Sequence, residues 1–316
     1  MATYQTYQAI GNREDLVDII YSISPTETPF MSGIAKNKAT NTLHEWQTDA
    51  LAAVATNAAV EGAAISYATL TPSVKETNYT QISTKGIKVS GTQDSVTSAG
   101  RNNELAYQVA KSAKELKRDM ETALLTNIAK AAGNATTARK LAGAPTWFET
   151  NVDAGTGGSG AGNGAIRTDG TQRAFTESQL KGVLVSCYNE GGNPNMIMVN
   201  AFNKQKLSGF TGGSTRFDAA EDRRLITSID VYESDFGTMQ VAPNRFIRGA
   251  NGTAAKIGQD AHILDMEYWA VSFLRDFSLQ TPAQDADADQ RFMVAEYTLE
   301  SRNEKASGLI TDLTTS

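Results

Sequence analysis

A single apolar stripe in the middle of the chain constrains its fold most strongly. In residues 103–132, apolar side chains recur at three- and four-residue steps, the spacing of one face of an α-helix. Charged side chains, Glu121 among them, occupy the other faces. With Asn102 or Asn103 as the cap and Gly133 at the C′ position, the pattern predicts a helix about 45 Å long, which must brace something large. The stripe consists of Leu105, Val109, Ala113, Leu116, Met120, Leu124 and Ile128.

Upstream of this helix, the sequence predicts a long β-hairpin. Residues 42–48 and 77–89 are rich in threonine, tyrosine, isoleucine and valine with partial alternation, which is typical of strands. The span between them, residues 50–71, consists mostly of alanine, threonine and other small residues and offers few anchors for a core. A loop longer than about 15 residues is unusual in a compact domain and is usually functional or disordered. The hairpin is therefore expected to project from the body.

The remaining elements are shorter and mixed. Residues 1–38 combine a polar arm with a short helix, which Asn12 caps and which Pro25 and Pro29 end in an extended turn. Residues 133–175 are polar and glycine-rich and are expected to form a flexible insertion or loop. The sequence predicts helices at 177–189 and 201–207 and strands at 196–199, 231–232, 238–241, 262–277 and 291–300. The fold class is therefore α+β with one long helix.

Composition excludes several classes of protein. Apolar residues make up 40% of the 316, so a sizeable core can form. The net charge of −6 has the wrong sign for a coat that neutralises nucleic-acid phosphates. Cys187 is the only cysteine, and His44 and His262 are the only histidines, which argues against disulfide frameworks and against cysteine- or histidine-rich metal sites. The sequence shows neither a membrane helix nor a signal peptide, so the protein is expected to be soluble and intracellular when made.

Two stretches have the residue types that bind ions. The glycine run 155–164 could cradle a phosphate, but residues 165–167 lack the lysine and serine or threonine of a P-loop, so a plain loop is preferred. Gln290 stands where a calcium-binding loop needs glycine, so a solvated acidic turn is preferred there and cation binding is left open. The side chains that match positions 1, 3, 5 and 12 of that loop are Asp285, Asp287, Asp289 and Glu296.

The other reactive side chains are expected to have structural roles. Cys187 has no nearby histidine and is expected to be buried. His44 and His262 are expected to be packing or surface residues. The basic clusters at 111–118 and 223–224 lie beside acidic residues, which is typical of solvated ion-pairing faces. No catalytic, cofactor-binding or metal-binding residue is assigned and no cofactor is expected, so the sequence argues against an enzyme.

Three stretches carry a resemblance to a known family. They are residues 13–30, which include a Pro-x-x-x-Pro-Phe turn, residues 193–207 and residues 290–306. In their order along the chain, with the arm, hairpin and long helix, they resemble the major capsid proteins of tailed bacteriophages, which have the Hong Kong 97-type fold. The likeness spans most of the chain and is weakest at residues 133–175 and 211–248.

The resemblance implies a division of the chain and a function. The implied parts are an N-terminal arm (1–39), an extended E-loop hairpin (40–92), a P-domain spine helix (93–135), a glycine-rich insertion or loop (136–175), a mixed α/β A-domain (176–261), and P-domain strands with a C-terminal tail (262–316). The implied function is that of a structural major capsid protein. Such a protein self-assembles as hexamers and pentamers into an icosahedral head that encloses double-stranded DNA.

The same resemblance implies the partners and the location. The partners are further copies of the chain, a portal protein, a possible decoration protein and packaged DNA, which is contacted weakly and without sequence preference; no membrane is involved. Because the arm begins almost at once, a separate scaffolding protein is also expected. The protein would be found in the virion after assembly in the host cytoplasm.

Two alternatives are left open. One is an encapsulin-like nanocompartment shell, although nothing in the sequence marks a groove for a cargo peptide. The other is a soluble ligand-binding protein or enzyme with the glycine-rich loop over its pocket. The weakly apolar hairpin favours a shell, because ordering each backbone residue costs about 1–2 kcal/mol and neighbouring subunits can supply the missing buried surface.

Overall fold

The computed structural model describes residues 27–62, 64–65, 67, 69–96, 103–210, 230–247, 258–284 and 286–315. The predicted helix at Asn12, Pro25, the basic pair at 223–224 and Asp285 lie outside these ranges. Within the described ranges, helices and strands are mixed along the chain, and the predicted α+β class is confirmed.

The described part of the chain contains five α-helices and twelve strands. The helices are α1 (Pro29–Gly33), α2 (Gly91–Ser95), α3 (Glu104–Leu125), α4 (Glu177–Asn189) and α5 (Ala201–Ser208). The strands are β1 (Ala35–Lys38), β2 (Leu43–Thr48), β3 (Val74–Tyr79), β4 (Gln81–Ser90), β5 (Val152–Asp153), β6 (Met196–Val199), β7 (Val231–Ser234), β8 (Gly237–Pro243), β9 (Ala261–Leu264), β10 (Trp269–Gln280), β11 (Ala288–Ser301) and β12 (Gly308–Ile310). The 3₁₀-helices are Ala144–Trp147, Met266–Tyr268 and Glu304–Ala306.

The described strands form three sheets. A four-stranded sheet has the order β1-β10-β11-β4, in which β1 is parallel to β10 and the other pairs are antiparallel. A six-stranded sheet has the order β5-β12-β9-β6-β8-β7. The third sheet is the antiparallel hairpin of β2 and β3. In the first sheet, two strands from the C-terminal part of the chain, β10 and β11, are therefore flanked by two strands from its N-terminal part, β1 and β4.

The long helix α3 is present but shorter than predicted. It begins after Asn103, whose side chain accepts a hydrogen bond from the Ala106 amide, and it ends at Leu125 instead of residue 132. The hydroxyl of Thr126 donates to the helix carbonyl four residues earlier (2.6 Å), and its backbone is extended. Gly133 has a positive φ of 67°, but it lies in a later turn and not at the helix end. No described helix has the length and apolarity that crossing a membrane requires.

The apolar stripe of α3 faces the core along its second half. Leu116, Met120 and Leu124 are buried, as predicted. The first half of the stripe is only half-buried, and Ile128 lies beyond the helix end. Glu121, which the pattern places on a charged face, is fully buried because its carboxylate accepts hydrogen bonds from the backbone of α1. The prediction of a solvated position for Glu121 is wrong.

Residues 136–175 are not the loose insertion that their composition predicts. Residues 141–148 are buried, and Trp147 packs in the core between α3 and the four-stranded sheet. The glycines that follow bring backbone against backbone, so that a Cβ at Gly155 would lie 2.1 Å from the carbonyl oxygen of Thr171. The prediction of a flexible loop is wrong, because the missing side chains here permit close packing.

Two predicted strands are each divided between two sheets. In the predicted strand 77–89, Thr80 separates β3 from β4, and its buried hydroxyl donates to Glu296 (2.8 Å). In the predicted strand 262–277, Asp265 ends β9 and caps a 3₁₀-helix, after which β10 begins. Both sequences favour strands throughout, so propensity alone does not reveal which neighbour each half pairs with.

Pro29 begins α1, whereas the sequence predicts that it stiffens an extended turn. It occupies the first helical turn, where its missing amide hydrogen costs nothing, and the following Phe30 and Met31 are buried against α3.

A second core lies between α4 and the six-stranded sheet. Its members include Leu180, Val183, Leu184, Cys187, Ile197, Val199, Val241 and Ile263.

Candidate assembly surface

The loop at the end of the β2–β3 hairpin is exposed along its whole described length. We call residues 49–73 the projecting loop; no helix or strand is assigned in its described part. Its large hydrophobic side chains are at least 78% exposed. An exposed array of this kind marks an interaction site in soluble proteins. The side chains concerned are Leu51, Val54, Val60, Ile65, Tyr67 and Leu70.

Asn78 fastens the base of the hairpin to the body. Its side chain is fully buried, and its Nδ2 donates to the carbonyl oxygen of Leu299 on β11 (2.8 Å). Its Oδ1 accepts a hydrogen bond from the backbone amide of Ala142 (2.9 Å), in the buried segment 141–148. One side chain therefore joins β3 to the sheet and to the segment beside it, and buried amide pairs of this kind are costly to break.

Trp46 fastens the other strand of the hairpin. Its indole Nε1 donates to the carbonyl oxygen of Ser301 at the end of β11 (2.7 Å). Its ring packs against Trp147, with 5.2 Å between the ring centroids. Both strands of the hairpin are thus attached at their base, and the projecting loop extends from a rigid support.

Lys130 adds a third attachment on the same side. Its Nζ donates to the Thr77 carbonyl (2.9 Å) and to the Asn163 side-chain oxygen (2.9 Å), and lies 5.7 Å from the centre of the Trp147 ring. Partial burial lowers the pKa of Lys130, while the nearby Glu76 carboxylate acts in the opposite direction. The lysine links the hairpin to the glycine-rich segment.

Glu300 collects the polar contacts beneath the hairpin. Its Oε2 lies 3.4 Å from Nε2 of His44 and accepts hydrogen bonds from Asn37 (3.1 Å) and Ser272 (3.1 Å). Burial alone would raise the pKa of Glu300, but hydrogen bonds from His44, Asn37 and Arg302 lower it to about 2. His44, expected to be a packing or surface residue, is therefore a half-buried partner of this carboxylate.

The glycine run 155–164 does not form a phosphate cradle. The backbone amide of Gly155 donates to the carboxylate of Asp312 (3.0 Å), and that of Gly158 donates to the Gly155 carbonyl (2.8 Å). These amides are engaged within the chain, so they do not converge on a ligand. That the run binds no nucleotide stays a prediction.

Among the described residues, the acidic side chains of the stretch 285–296 do not group as a calcium loop. Glu296 is buried, and its carboxylate is paired with Arg139, Arg275 (2.8 Å) and Thr80. Asp289 lies 3.9 Å from Arg291, and Asp285 is outside the described residues. In the described ranges, no three or more histidine, cysteine, aspartate or glutamate side chains group as metal ligands.

Cys187 and His262 are both packing residues. Cys187 is buried, as predicted, and burial raises the pKa of its thiol to about 12, which leaves little reactive thiolate. His262 is fully buried, with 6.4 Å between its ring centre and that of Phe148. Burial and the nearby Arg167 lower the pKa of His262 to about 3, so the ring is neutral. Neither of its ring nitrogens has a hydrogen-bond partner among the described residues.

Acidic side chains on the charged face of α3 form ion pairs with a strand, whereas the sequence predicts pairing with the basic cluster 111–118. Lys85 of β4 lies 2.8 Å from Asp119 and 3.9 Å from Glu115. Lys111 and Lys114, in the basic cluster 111–118, are exposed. The predicted ion-pairing face therefore includes a contact between the helix and the sheet that helical spacing does not reveal.

Sequence reasoning missed a buried ionic cluster around Arg167. The guanidinium is almost fully buried and lies 2.6 Å from Asp260, 3.0 Å from Asp169 and 3.4 Å from Asp312. Burial raises the pKa of Asp260 to about 6, although Arg167 acts against that shift. No local signal marks these residues, because the four positions are up to 145 residues apart in the chain. Their positions fix the glycine-rich segment to the six-stranded sheet.

Comparison with known proteins gives a family and a fold. A family model described as SU10 major capsid protein matches residues 2–314. The major capsid protein of Escherichia phage Phieco32 is 39% identical over 128 residues, which are 40% of this chain and 36% of that protein. The matched part therefore spans about a third of that relative's length.

Solved capsid structures share the fold at low sequence identity. The Cyanophage A-1(L) capsid asymmetric unit aligns with a TM-score of 0.66 and 12% identity, over 98% of this chain and 99% of that one. The capsid of a native GTA particle aligns with a TM-score of 0.63 and 12% identity, over 98% of both chains. The predicted Hong Kong 97-type fold is thereby confirmed. With the family model covering nearly every residue, the chain belongs to the SU10 major capsid protein family.

Proposed function

We propose that this chain is the shell-forming subunit of a tailed-phage head. It assembles with copies of itself, as hexamers and pentamers, into an icosahedral shell that encloses double-stranded DNA, and it resides in the virion after assembly in the host cytoplasm. The family match over residues 2–314 supports a structural and not an enzymatic role. The name of the Phieco32 relative, major capsid protein, supports the same assignment.

One structural observation carries the proposal, which is the contrast between the base and the tip of the hairpin. The base is attached through Asn78, Trp46 and Lys130, whereas the described residues of the projecting loop are all exposed. If a neighbouring copy covers the loop, burial of roughly 300 Å² of apolar surface contributes several kcal/mol at about 25 cal/mol per Å². Every copy repeats the contact, so its loss would weaken the whole shell.

The experiment that tests the proposal removes the tip of the loop. Replacing residues 52–68 by a Gly-Asn turn should leave a folded subunit, with a circular dichroism spectrum and a urea midpoint close to those of the wild type. The same variant should form no closed shells, by electron microscopy, under conditions in which the wild-type protein forms them. The physical reason is that the tip adds surface to a neighbour and not to the core of its own subunit.

A matched control keeps the loop at full length. Serine substitution of Thr56 and Asn57, which are polar and in the same loop, should leave assembly unchanged. Serine substitution of Leu51, Val54 and Leu70 should weaken it. An unfolded deletion variant would place the loop in the core of its own subunit. Deleted subunits that form shells as stable as the wild type would refute the proposed role of the loop.

Two other functions are less well supported. An encapsulin-like nanocompartment would share the fold, but the family match to a phage major capsid protein favours a virus head. A ligand-binding protein or enzyme would need convergent polar groups in a pocket, whereas the glycine run uses its amides internally. Purified nanocompartments would contain a protein cargo and no genome, which mass spectrometry of isolated particles distinguishes.

The division of the chain is part of the same proposal. The four-stranded sheet with α3 supports a P-domain, and the six-stranded sheet with α4 supports an A-domain. Strands β5 and β12 also belong to the six-stranded sheet, so we extend the A-domain beyond the residues 176–261 that the sequence implies. The arm at 1–39 and the E-loop hairpin at 40–92 are proposed with the boundaries that the sequence implies, although each contributes one strand, β1 and β4, to the four-stranded sheet.

The partners beyond the chain itself are proposed on the resemblance. They are a portal protein, a separate scaffolding protein and a possible decoration protein, together with packaged DNA. The net charge of −6 supports weak contact with DNA. We expect the free subunit to bind a random duplex weakly and less tightly as salt rises, with no sequence preference. Tight, sequence-specific binding at physiological salt would contradict this.

A further inference from the structure

A cleft of about 570 Å³ lies where α1, β1, α3 and β10 meet. Part of its lining is apolar and is formed by Met31, Phe273 and Phe277, with 6.3 Å between the centres of the two phenylalanine rings. The rest is polar and strongly basic. We call it the lysine cleft, after Lys36, Lys38 and Lys117.

Among the residues that the structure describes, the lysines of this cleft lack an anionic partner. Lys36 and Lys38 alternate along β1 and so share one face, while Asn37 between them points the other way and donates to Glu300 (3.1 Å). In the described ranges, none of the cleft's lysines forms an ion pair or a hydrogen bond to another side chain. Asp276 is the one carboxylate in the lining. The excess positive charge would be neutralised by a bound anion.

The cleft also has an open sheet edge. In the described part of the chain, β1 is the outermost strand of its sheet, and all four of its residues are exposed. It pairs with β10 on one side, from Ala35 with Ala270 to Lys38 with Phe273. Its other side offers backbone amides and carbonyls, which is where extended peptides add a strand.

We infer that the lysine cleft binds an extended acidic segment of a second protein. The segment pairs with the outer edge of β1, its carboxylates meet the three lysines, and its apolar side chains contact Phe273 and Phe277. This partner differs from the copies of the chain that build the shell. The inference therefore goes beyond self-assembly and does not depend on it.

Two other occupants fit less well. The projecting loop of a second copy carries two carboxylates, Asp49 and Glu61, which are twelve residues apart. In an extended chain they are separated by about 40 Å and cannot both enter one cleft. A DNA duplex is too wide for a cleft of about 570 Å³, so it would touch the lysines and leave the apolar side chains uncovered.

The test uses a fluorescent synthetic peptide of alternating glutamate and leucine, with fluorescence anisotropy as the readout. The probe should bind the full-length wild-type protein, and binding should weaken as salt rises. The variant Lys36→Glu, Lys38→Glu, Lys117→Glu should bind at least about tenfold more weakly. The matched control Lys111→Glu, Lys114→Glu reverses two exposed charges elsewhere on α3 and should bind like the wild type.

Several outcomes would overturn the inference. They are no binding to the wild type, equal loss in the control variant, and equal binding of a lysine–leucine peptide. Displacement of the probe by a random DNA duplex would assign the cleft to nucleic acid instead. Binding to soluble subunits but not to assembled shells would assign it to a second copy. If the triple glutamate variant fails to fold, the triple glutamine variant takes its place, with about tenfold weaker binding again expected.

Discussion

The carboxylate of Glu121, buried near the C-terminal end of α3, accepts a hydrogen bond of 2.9 Å from the backbone amide of Phe30 in α1. Its other oxygen accepts from Met31 (2.8 Å), and the side chain of Asn244 donates a third hydrogen bond (2.7 Å). The residue before α1, Thr28, gives no side-chain cap. The amides that a short helix leaves unpaired are therefore satisfied by a carboxylate from a different helix.

Removing this carboxylate should destabilise the subunit. We expect Glu121→Leu to lower the free energy of unfolding by roughly 3 kcal/mol or more, because it leaves three buried donors without an acceptor. Urea unfolding measures the change. Glu115→Leu, on the face of α3 that pairs with Lys85, should cost less than about 1 kcal/mol. Equal losses in the two variants would show that the buried hydrogen bonds stabilise the subunit no more than a surface ion pair does.

The apolar face of α3 should not tolerate a charge. Leu116 and Met120 are almost completely buried, so Leu116→Asp or Met120→Asp places an unpaired carboxylate in the core and should cost several kcal/mol. We expect insoluble or unfolded protein, assessed by solubility and circular dichroism. Lys114→Asp, at an exposed position of the same helix, should fold normally. Soluble, native-like protein from Met120→Asp would disprove that this face is core.

His262 should make the subunit acid-sensitive. Its pKa is lowered from 6.5 to about 3 by burial and by Arg167, so the unfolded chain binds a proton below pH 6.5 that the native protein does not. Native stability therefore falls as the pH drops from 6.5 towards 3. Relative to the wild type, His262→Leu should gain about 2 kcal/mol between pH 8 and pH 5 in urea unfolding. A gain that does not depend on pH would show that the histidine titrates normally.

Glu300 should stabilise the subunit in its charged form, so its contribution is lost at acid pH. Hydrogen bonds lower its pKa from 4.5 to about 2, so its contribution is complete above pH 4.5 and is lost as the pH falls towards 2. Glu300→Gln should cost roughly 1–3 kcal/mol at pH 7 and should flatten the loss of stability below pH 4.5. Acid titration followed by tryptophan fluorescence checks this, with exposed Glu233→Gln as the control. An unchanged acid titration would exclude Glu300 as its source.

Local periodicity in the sequence predicted those elements whose apolar spacing agrees with the face they bury. The first strand of the hairpin, β2, and the helix α4 were predictable, because alternation and helical spacing each persist over most of the element. The lack of core anchors in residues 50–71 also predicted an exposed loop, and its described residues are exposed. The proposed assembly surface could thus be predicted from the small number of core-forming side chains in this stretch.

Contacts between segments far apart in the chain determine which polar and glycine-rich residues are buried, and local sequence does not reveal them. Residues 141–148 have no period, and they are buried because Asn78 and Trp46 cover them from the hairpin. Helical spacing predicts that Glu121 is a surface charge, because nothing in its local sequence shows that the amides of α1, ninety residues earlier, bind its carboxylate. The same holds for Arg167, two of whose three carboxylate partners, Asp260 and Asp312, lie in distant segments. The glycine content of residues 136–175 misled for a related reason. Glycine lets backbone segments pack closely together as readily as it lets a segment stay flexible.

The single residue Thr80 between β3 and β4 has a mechanical consequence. A pull on the projecting loop, as an internally pressurised shell would exert, passes along β3 through Thr80 directly into β4. Strand β4 is paired with β11 over its full length, from Gln81 with Tyr297 to Ser90 with Ala288. Tension along the strand loads those hydrogen bonds together, in shear, instead of peeling them apart one at a time. The hairpin is attached to its subunit in the direction in which a sheet resists force best.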